Sequence, residues 1–165
     1  MIFIIILCSS YGNSYFAFYL YTAISSGAMH VRVLGMDGRI FEWGKIWQDN
    51  KWNELQPRFV SGNLEGKTVT QIACGHLHSL ALTEEGEVYS WGHDNYGQLG
   101  IGRHSTETEP VKVSGSNGFE SEIVSVACAG WTSFALDFDG NVSWHTPQVI
   151  CSNCVNTSTD FVSLF

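Results

Sequence analysis

The amino-acid sequence predicts an all-β protein built from a repeated unit, on the basis of three observations. At three places an acidic residue followed by glycine lies between two apolar runs, a tryptophan follows a few residues later, and the whole pattern returns. An acidic residue followed by glycine suits the tight turn of a β-hairpin, which needs a positive φ. The repeat length of about fifty residues is typical of propellers and solenoids.

The middle copy, residues 69–102, is the most complete one. Two apolar runs, residues 72–82 and 87–91, flank the turn at residues 83–86, and a glycine-rich loop follows them, which predicts a hairpin with a long exit loop. A shift of 48 residues back, or of 53 or 54 forward, superimposes the other two copies on it. The superimposed residues that we predict to be structural are Gly27, Gly75 and Gly130 before a strand, Gly38, Gly86 and Gly140 in the turn, and Trp43, Trp91 and Trp144 after it.

Two of these runs resemble a known repeat. The stretches GHLHSLALTEEGEVYSWGHDNYGQLGIG and AGWTSFALDFDGNVSW are similar to the repeat of the regulator of chromosome condensation family, whose members form seven-bladed β-propellers. The resemblance covers residues 24–147 and implies a partial β-propeller of about three four-stranded blades, with repeats at about 24–68, 69–122 and 123–147. A closed ring needs about four to eight blades. We therefore expect a piece of a longer propeller, whose remaining blades would be partners of this chain.

The propeller geometry gives the repeated residues their expected roles. We expect Gly75 and Gly130 to allow close backbone approach near the central axis. The three tryptophans are expected to pack between blades, each burying about 150–250 Å². Small and large apolar residues mix along residues 79–82, as in a strand covered on both faces.

The two ends of the chain depart from the pattern. Residues 1–23 are apolar and carry no charge, which we interpret as a degenerate blade; a secretory signal or membrane anchor is the alternative. Against that alternative, a positive n-region is missing and residues 9–14 interrupt the apolar run. The third copy breaks after Trp144, and residues 148–165 are predicted to begin a truncated fourth repeat.

The charge of the chain limits its partners. Eight Lys and Arg stand against sixteen Asp and Glu, for a net charge of −8, and no basic cluster occurs. Nucleic-acid binding depends on Lys and Arg that neutralise phosphates, so we do not expect direct nucleic-acid binding. Basic protein partners suit an acidic surface.

Four residues of the glycine-rich loop are the candidate partner contacts: His93, Asp94, Asn95 and Tyr96, which would lie at one rim of the propeller. The loop follows a hairpin strand and lacks a Lys-Ser/Thr pair, so it does not fit a phosphate-binding loop. We expect Gln98 and Leu99 to pin it through one hydrogen bond and one apolar contact.

Other residues that can carry chemistry have structural interpretations. His76 and His78 lie two apart and could share a metal, but a structural hydrogen bond for His78 fits better. Cys151 and Cys154 make half of a zinc or redox pattern with no second pair. We predict no catalytic residue, no metal and no cofactor.

The sequence thus predicts a non-catalytic segment for protein–protein interaction, located in the cytoplasm or nucleus unless the N-terminal segment acts as a signal or anchor. The resemblance implies a larger adaptor or regulatory protein, such as a propeller joined to BTB or ubiquitin-ligase modules. The alternative is a guanine-nucleotide exchange factor for a small nuclear GTPase, although no exchange residue of the family can be matched to this chain.

Overall fold

The computed structural model describes residues 9–10, 13–14, 20–44, 54–113 and 122–145, and in them the chain forms three larger antiparallel sheets. A two-residue pair, β1 (Ser9–Ser10) and β2 (Asn13–Ser14), precedes them. Blade 1 contains β3 (Tyr21–Ser26), β4 (His30–Gly35), β5 (Ile40–Gly44) and β6 (Glu54–Phe59). Blade 2 contains β7 (Val69–Cys74), β8 (His78–Thr83), β9 (Val88–Gly92) and β10 (Glu107–Lys112). Blade 3 contains β11 (Ile123–Ala129), β12 (Thr132–Asp137) and β13 (Val142–His145).

The predicted all-β fold of about three blades is confirmed. Strands are paired in chain order within each blade, with four strands in blades 1 and 2 and three in the described part of blade 3. A 3₁₀ turn at Gly62–Leu64 is the helical element among the described residues, and no helix in that part of the chain is long and apolar enough to cross a membrane. The first strand of blade 1 begins at Tyr21, three residues before the predicted start.

Each blade is closed by a hairpin between its second and third strands. Gly38, Gly86 and Gly140 have φ angles of 74°, 75° and 86°, as the predicted acidic-glycine turns require. In the turn of blade 2, the backbone N–H of Gly86 donates to the Thr83 carbonyl at 3.0 Å.

Apolar side chains join successive blades. We call the side of a blade that faces the next one its following face, and the opposite side its preceding face. Leu34 and Ile40 on the following face of blade 1 pack with Val69, Ile72, Ala81, Tyr89 and Trp91 of blade 2. Leu80, Leu82 and Val88 repeat the arrangement against Ile123, Val126 and Ala135 of blade 3. Both Ala81 and Ala135 are small residues that meet leucines, as the mixed sizes along residues 79–82 predicted.

The register of the third copy corrects two of the aligned positions. Cys74 pairs with Ser79 in blade 2 and Cys128 with Ser133 in blade 3, so the offset between these strands is 54. Ala129 therefore takes the position of Gly75, and Gly130 takes that of His76. A methyl group at Gly130 would have no neighbour within 4 Å, so this glycine makes no close approach; its φ of 57° instead suits the turn between β11 and β12.

Trp144 is also one residue from the aligned position, but in the opposite direction. It pairs with Phe134, whereas Trp91 pairs with Ser79, the residue equivalent to Ser133. His145, which pairs with Ser133, is thus the positional equivalent of Trp91. Because side chains alternate along a strand, a shift of one residue changes the face of the sheet to which a position belongs.

The other two tryptophans occupy equivalent positions. Trp91 is fully buried between blades 1 and 2, and Trp43 packs partly buried against Tyr21, Val33 and Phe41. Some predictions concern residues that lie outside the described part of the chain, and these stay predictions. They are the predictions for most of residues 1–23, for residues 148–165, and for Cys151 and Cys154.

Candidate protein-binding rim

The connections between strands form two rims. The turns between second and third strands lie at one end of the blades, which we call the hairpin rim. The connections between first and second strands, together with the exit loop after β9, lie at the opposite end because antiparallel strands reverse at each turn. Four rings meet at this second end, and we call them the aromatic rim: His76, His93, Tyr96 and Trp131.

Trp131 is the centre of the aromatic rim. The ring of His76 stacks on it with centroids 4.6 Å apart and planes at 24°. Tyr96 meets it edge to face at 5.6 Å, and His93 lies at 6.0 Å with a tilt of 56°. His76 is exposed, Tyr96 is 49% exposed, and His93 and Trp131 are half-buried. The cluster thus presents aromatic surface to the solvent.

Backbone hydrogen bonds hold the connections of successive blades together. The N–H of Ala28 in blade 1 donates to the His76 carbonyl in blade 2 at 3.1 Å. The N–H of His76 then donates to the Gly130 carbonyl in blade 3 at 2.6 Å. The N–H of His93 donates to the Leu77 carbonyl at 2.9 Å, which ties the exit loop to the same end. The backbone below the four rings is therefore fixed across the blades.

The exit loop is held from inside by buried polar groups. The Oδ1 atom of Asp94 accepts from the N–H of Leu99 at 2.8 Å, and the Oε1 atom of Gln98 accepts from the N–H of Tyr96 at 3.0 Å. The side chains of Asp94, Gln98 and Leu99 are fully buried. Burial raises the pKa of the Asp94 carboxyl. The hydrogen bond of the Gln98 side chain agrees with the prediction, and the side chain of Leu99 is buried.

Two buried histidines link neighbouring blades in the same way. The Nε2 atom of His78 lies 2.9 Å from Ser133 Oγ in blade 3, and the Nε2 atom of His30 lies 3.1 Å from Ser79 Oγ in blade 2. The hydroxyl of Ser133 donates to the Gln98 carbonyl at 2.7 Å, so His78 must donate its Nε2 hydrogen to Ser133. This chain of hydrogen bonds connects blade 3 to the loop that carries Tyr96.

The burial of these histidines keeps them neutral. Desolvation, followed by the positive charge of Arg32, lowers the pKa of His30 to about 3 and that of His78 to about 4. His76 and His78, which lie two residues apart in the sequence, have different surroundings. His76 is exposed and stacks on Trp131, whereas His78 is buried. No group of three His, Cys, Asp or Glu that could hold a metal occurs among the described residues.

The glycines before the second strand make room for these histidines. A methyl group on Gly75 would overlap the ring of His78, and one on Gly27 would overlap the ring of His30. In blade 3 the corresponding pair is Ala129 and Thr132, where a smaller side chain replaces the imidazole. Glycine and histidine thus form one structural unit in the first two blades.

A buried ion pair distinguishes the interface between blades 1 and 2. Arg32 Nη2 lies 2.7 Å from Glu42 Oε2, with both side chains almost completely buried. Arg58 Nη2 lies 2.7 Å from the other oxygen of Glu42, and the Arg32 guanidinium sits 5.0 Å from the centroid of Trp91. Blade 2 carries Leu80 and Ser90 at the positions of Arg32 and Glu42.

The structure divides the four predicted partner contacts. Tyr96 and His93 belong to the aromatic rim, and Asn95 is exposed beside them. Asp94 points inward, so its carboxylate has no surface to offer a partner. Trp131 and His76 were not identified from the sequence as members of the aromatic rim. An offset of 54 would have placed Trp131 at the same end as the exit loop.

Comparisons with known proteins agree with this geometry. Two models described as regulator of chromosome condensation (RCC1) repeat match residues 85–136 and 69–98. The human E3 ubiquitin-protein ligase HERC2 is 38% identical over 130 residues, which covers 74% of this chain and 3% of that protein. The mitochondrial RCC1 domain-containing protein RUG3 of Arabidopsis thaliana is 35% identical over 127 residues, which covers 74% of this chain and 28% of that protein. The chain thus spans a small part of these relatives.

Solved structures show the same fold. Human WBSCR16 superimposes with a TM-score of 0.67 at 23% identity, over 80% of this chain and 34% of that one. Yeast RCC1 (Prp20), solved with Kap60, superimposes with a TM-score of 0.64 at 22% identity, over 78% of this chain and 32% of that one. Residues 69–136 therefore carry repeats of the regulator of chromosome condensation family, and the blades have the fold of its β-propellers.

Proposed function

We propose that this chain is a non-catalytic protein-binding segment of a propeller and that its partner docks on the aromatic rim. The observation that carries the proposal is the meeting of four rings from three separate connections around Trp131, with Tyr96 half exposed. Exposed aromatic residues on a fixed backbone are typical centres of protein interfaces because they bury much surface and lose little conformational entropy.

The polar groups nearby support a binding role. His78 is buried and its side chain hydrogen-bonds Ser133 of blade 3, whereas the buried side chain of Gln98 accepts from the N–H of Tyr96 within the exit loop. Asp94 holds the exit loop. Side chains of these types are common in catalytic sites, but here they hold the aromatic rim in place.

The relatives support a proposal for the setting of the segment. We infer that it works within a larger adaptor or regulatory protein, since it spans 3% of HERC2 and 28% of RUG3.

Site-specific photo-crosslinking of the full chain in cells tests the docking surface. A photoreactive residue replaces Asn95 beside the aromatic rim, or Glu85 on the hairpin rim as the matched control. Discrete protein adducts are expected from the first position and not from the second, and Trp131→Ala should weaken them. Equal adducts from both positions, or adducts unaffected by Trp131→Ala, would contradict the proposal.

A further inference from the structure

We propose that the aromatic rim receives an arginine or lysine side chain of a basic partner segment. The inference rests on the proposed function and adds the chemistry of the partner's anchor. The cation would lie against the aromatic surface of Trp131 and Tyr96, whose rings meet edge to face with centroids 5.6 Å apart. A cation over an aromatic face is attracted by the negative potential of that face.

Part of this aromatic surface is exposed to solvent. His76 stacks on Trp131 at 4.6 Å and so supports the indole on one side. Tyr96 is 49% exposed, which leaves part of its ring open to a partner. The backbone of its loop is held by the hydrogen bond from the Tyr96 N–H to Gln98 and by the one from Leu99 to Asp94. A binding surface that is already fixed loses little conformational entropy on binding. Weak contacts with a cation therefore contribute to the affinity without a large entropic cost.

The charge of the chain favours a basic partner over a neutral or acidic one. The net charge is −8. Exposed carboxylates such as Glu84 and Asp139 contribute to it from the hairpin rim, at the end opposite the aromatic rim, so this charge acts on a partner at long range and makes no contact at the aromatic rim itself. The cation Arg103, on the exit loop, is paired with Glu107 at 2.9 Å. The long-range field thus attracts a basic segment, while the aromatic rim gives the local contact that fixes a cationic side chain.

The test compares two synthetic peptides on the full chain by isothermal titration. One peptide alternates arginine with serine and glycine, and its twin carries citrulline, which has nearly the same shape and no charge, at each arginine. We expect the arginine peptide to bind more tightly, and Trp131→Ala to weaken it about two- to fivefold. The weakening by Trp131→Ala should persist at high salt, because screening removes the long-range attraction and leaves the close contact.

Phe138→Ala provides a matched control. Phe138 is an aromatic residue of the hairpin rim, 76% exposed, and its loss leaves the charge of the chain unchanged. Binding of the arginine peptide should be unaffected by this substitution. Tyr96→Ala serves as the second variant should Trp131→Ala lose its fold by circular dichroism, and the same two- to fivefold weakening is expected of it.

Three results would overturn the inference. The first is equal affinity for the arginine peptide and its citrulline twin. The second is an effect of Phe138→Ala on arginine-peptide binding as large as that of Trp131→Ala. The third is tighter binding of a single-stranded oligonucleotide than of the arginine peptide, because bases can also stack on aromatic rings. Crosslinks from Asn95 that depend on Trp131, combined with no preference for arginine, would leave the docking surface in place and reject the cationic anchor. Absence of crosslinks from Asn95 in the otherwise unsubstituted chain would reject both.

Discussion

Blades 2 and 3 present the same kind of following face, yet within the described residues only the face of blade 2 is covered by another blade. Leu82 and Val88 on blade 2 are each 4% exposed because blade 3 packs on them. At the same positions of blade 3, Leu136 is 36% and Val142 is 46% exposed. Residues at equivalent positions of the two blades thus differ in burial. The repeat places apolar side chains on the following face of each blade, and their contribution to the free energy of unfolding depends on whether another blade packs on them.

The following face of blade 1 shows that the surface tolerates different chemistry. It carries the pair Arg32 and Glu42 where blade 2 has Leu80 and Ser90. The attraction within a buried ion pair counters part or all of the desolvation penalty of its charges, whereas a buried charge without its partner keeps the full penalty. Glu42→Ser should therefore cost about 3–5 kcal/mol of unfolding free energy, by leaving Arg32 buried without its partner.

The double variant with Arg32→Leu and Glu42→Ser copies blade 2 and should recover most of that loss. Chemical denaturation of the single and double variants measures both. A double variant less stable than the single one would show that the interface between blades 1 and 2 needs the charges themselves.

Acid should weaken both covered interfaces through the buried histidines. The folded-state pKa of His30 is about 3 and that of His78 about 4, below the ordinary value of 6.5, so the unfolded chain binds more protons. Their contribution is present above pH 6.5 and is lost as the pH falls toward 4, by roughly 2 kcal/mol for each histidine at pH 5.

Unfolding measured from pH 7 to pH 5 should show this loss, and His78→Thr should reduce its slope. Thr132 is the residue that blade 3 carries at this position, so the variant stays within the chemistry of the repeat. An unchanged slope would mean that His78 is not the group that acid titrates.

The glycine before the second strand should be coupled to the histidine after it. Gly75→Ala places a methyl group in the ring of His78, and overpacking of this kind costs about 1–3 kcal/mol. Adding His78→Thr reproduces the Ala129 and Thr132 pair of blade 3 and should relieve the clash. Additive losses in a double-mutant cycle would contradict this coupling.

Much of this fold could be predicted from the sequence because its turns have local causes. Asp37-Gly38, Glu85-Gly86 and Asp139-Gly140 identify hairpins through the positive φ of glycine. The register of blade 3 was predicted in part: Ala127-Cys128 and Ala135-Leu136 follow the offset of 54 that strand pairing has, whereas Trp144 suggested an offset of 53. Strand register is set by the pairing of all the residues in the two strands, so one aligned residue such as a tryptophan can be off by one position.

The candidate site was less predictable than the fold. His93 and Tyr96 were found because they lie in an unusual loop, whereas His76 and Trp131 come from other connections and meet them only in the folded chain. Asp94 looked like a surface residue of the same loop, but the turn directs its carboxylate to the N–H of Leu99. Loop composition indicates where a site lies, and packing between blades decides which side chains form it.

The most direct test of the covered and uncovered faces is the unfolding free energy of Leu82→Ala beside that of Leu136→Ala. The two leucines occupy equivalent positions and differ in what covers them. We predict a loss of about 2–5 kcal/mol for Leu82→Ala, as for other leucines removed from a core, and a loss below about 1 kcal/mol for Leu136→Ala. Similar losses for the two variants would show that the following face of blade 3 is covered as well, and would contradict the difference between the blades.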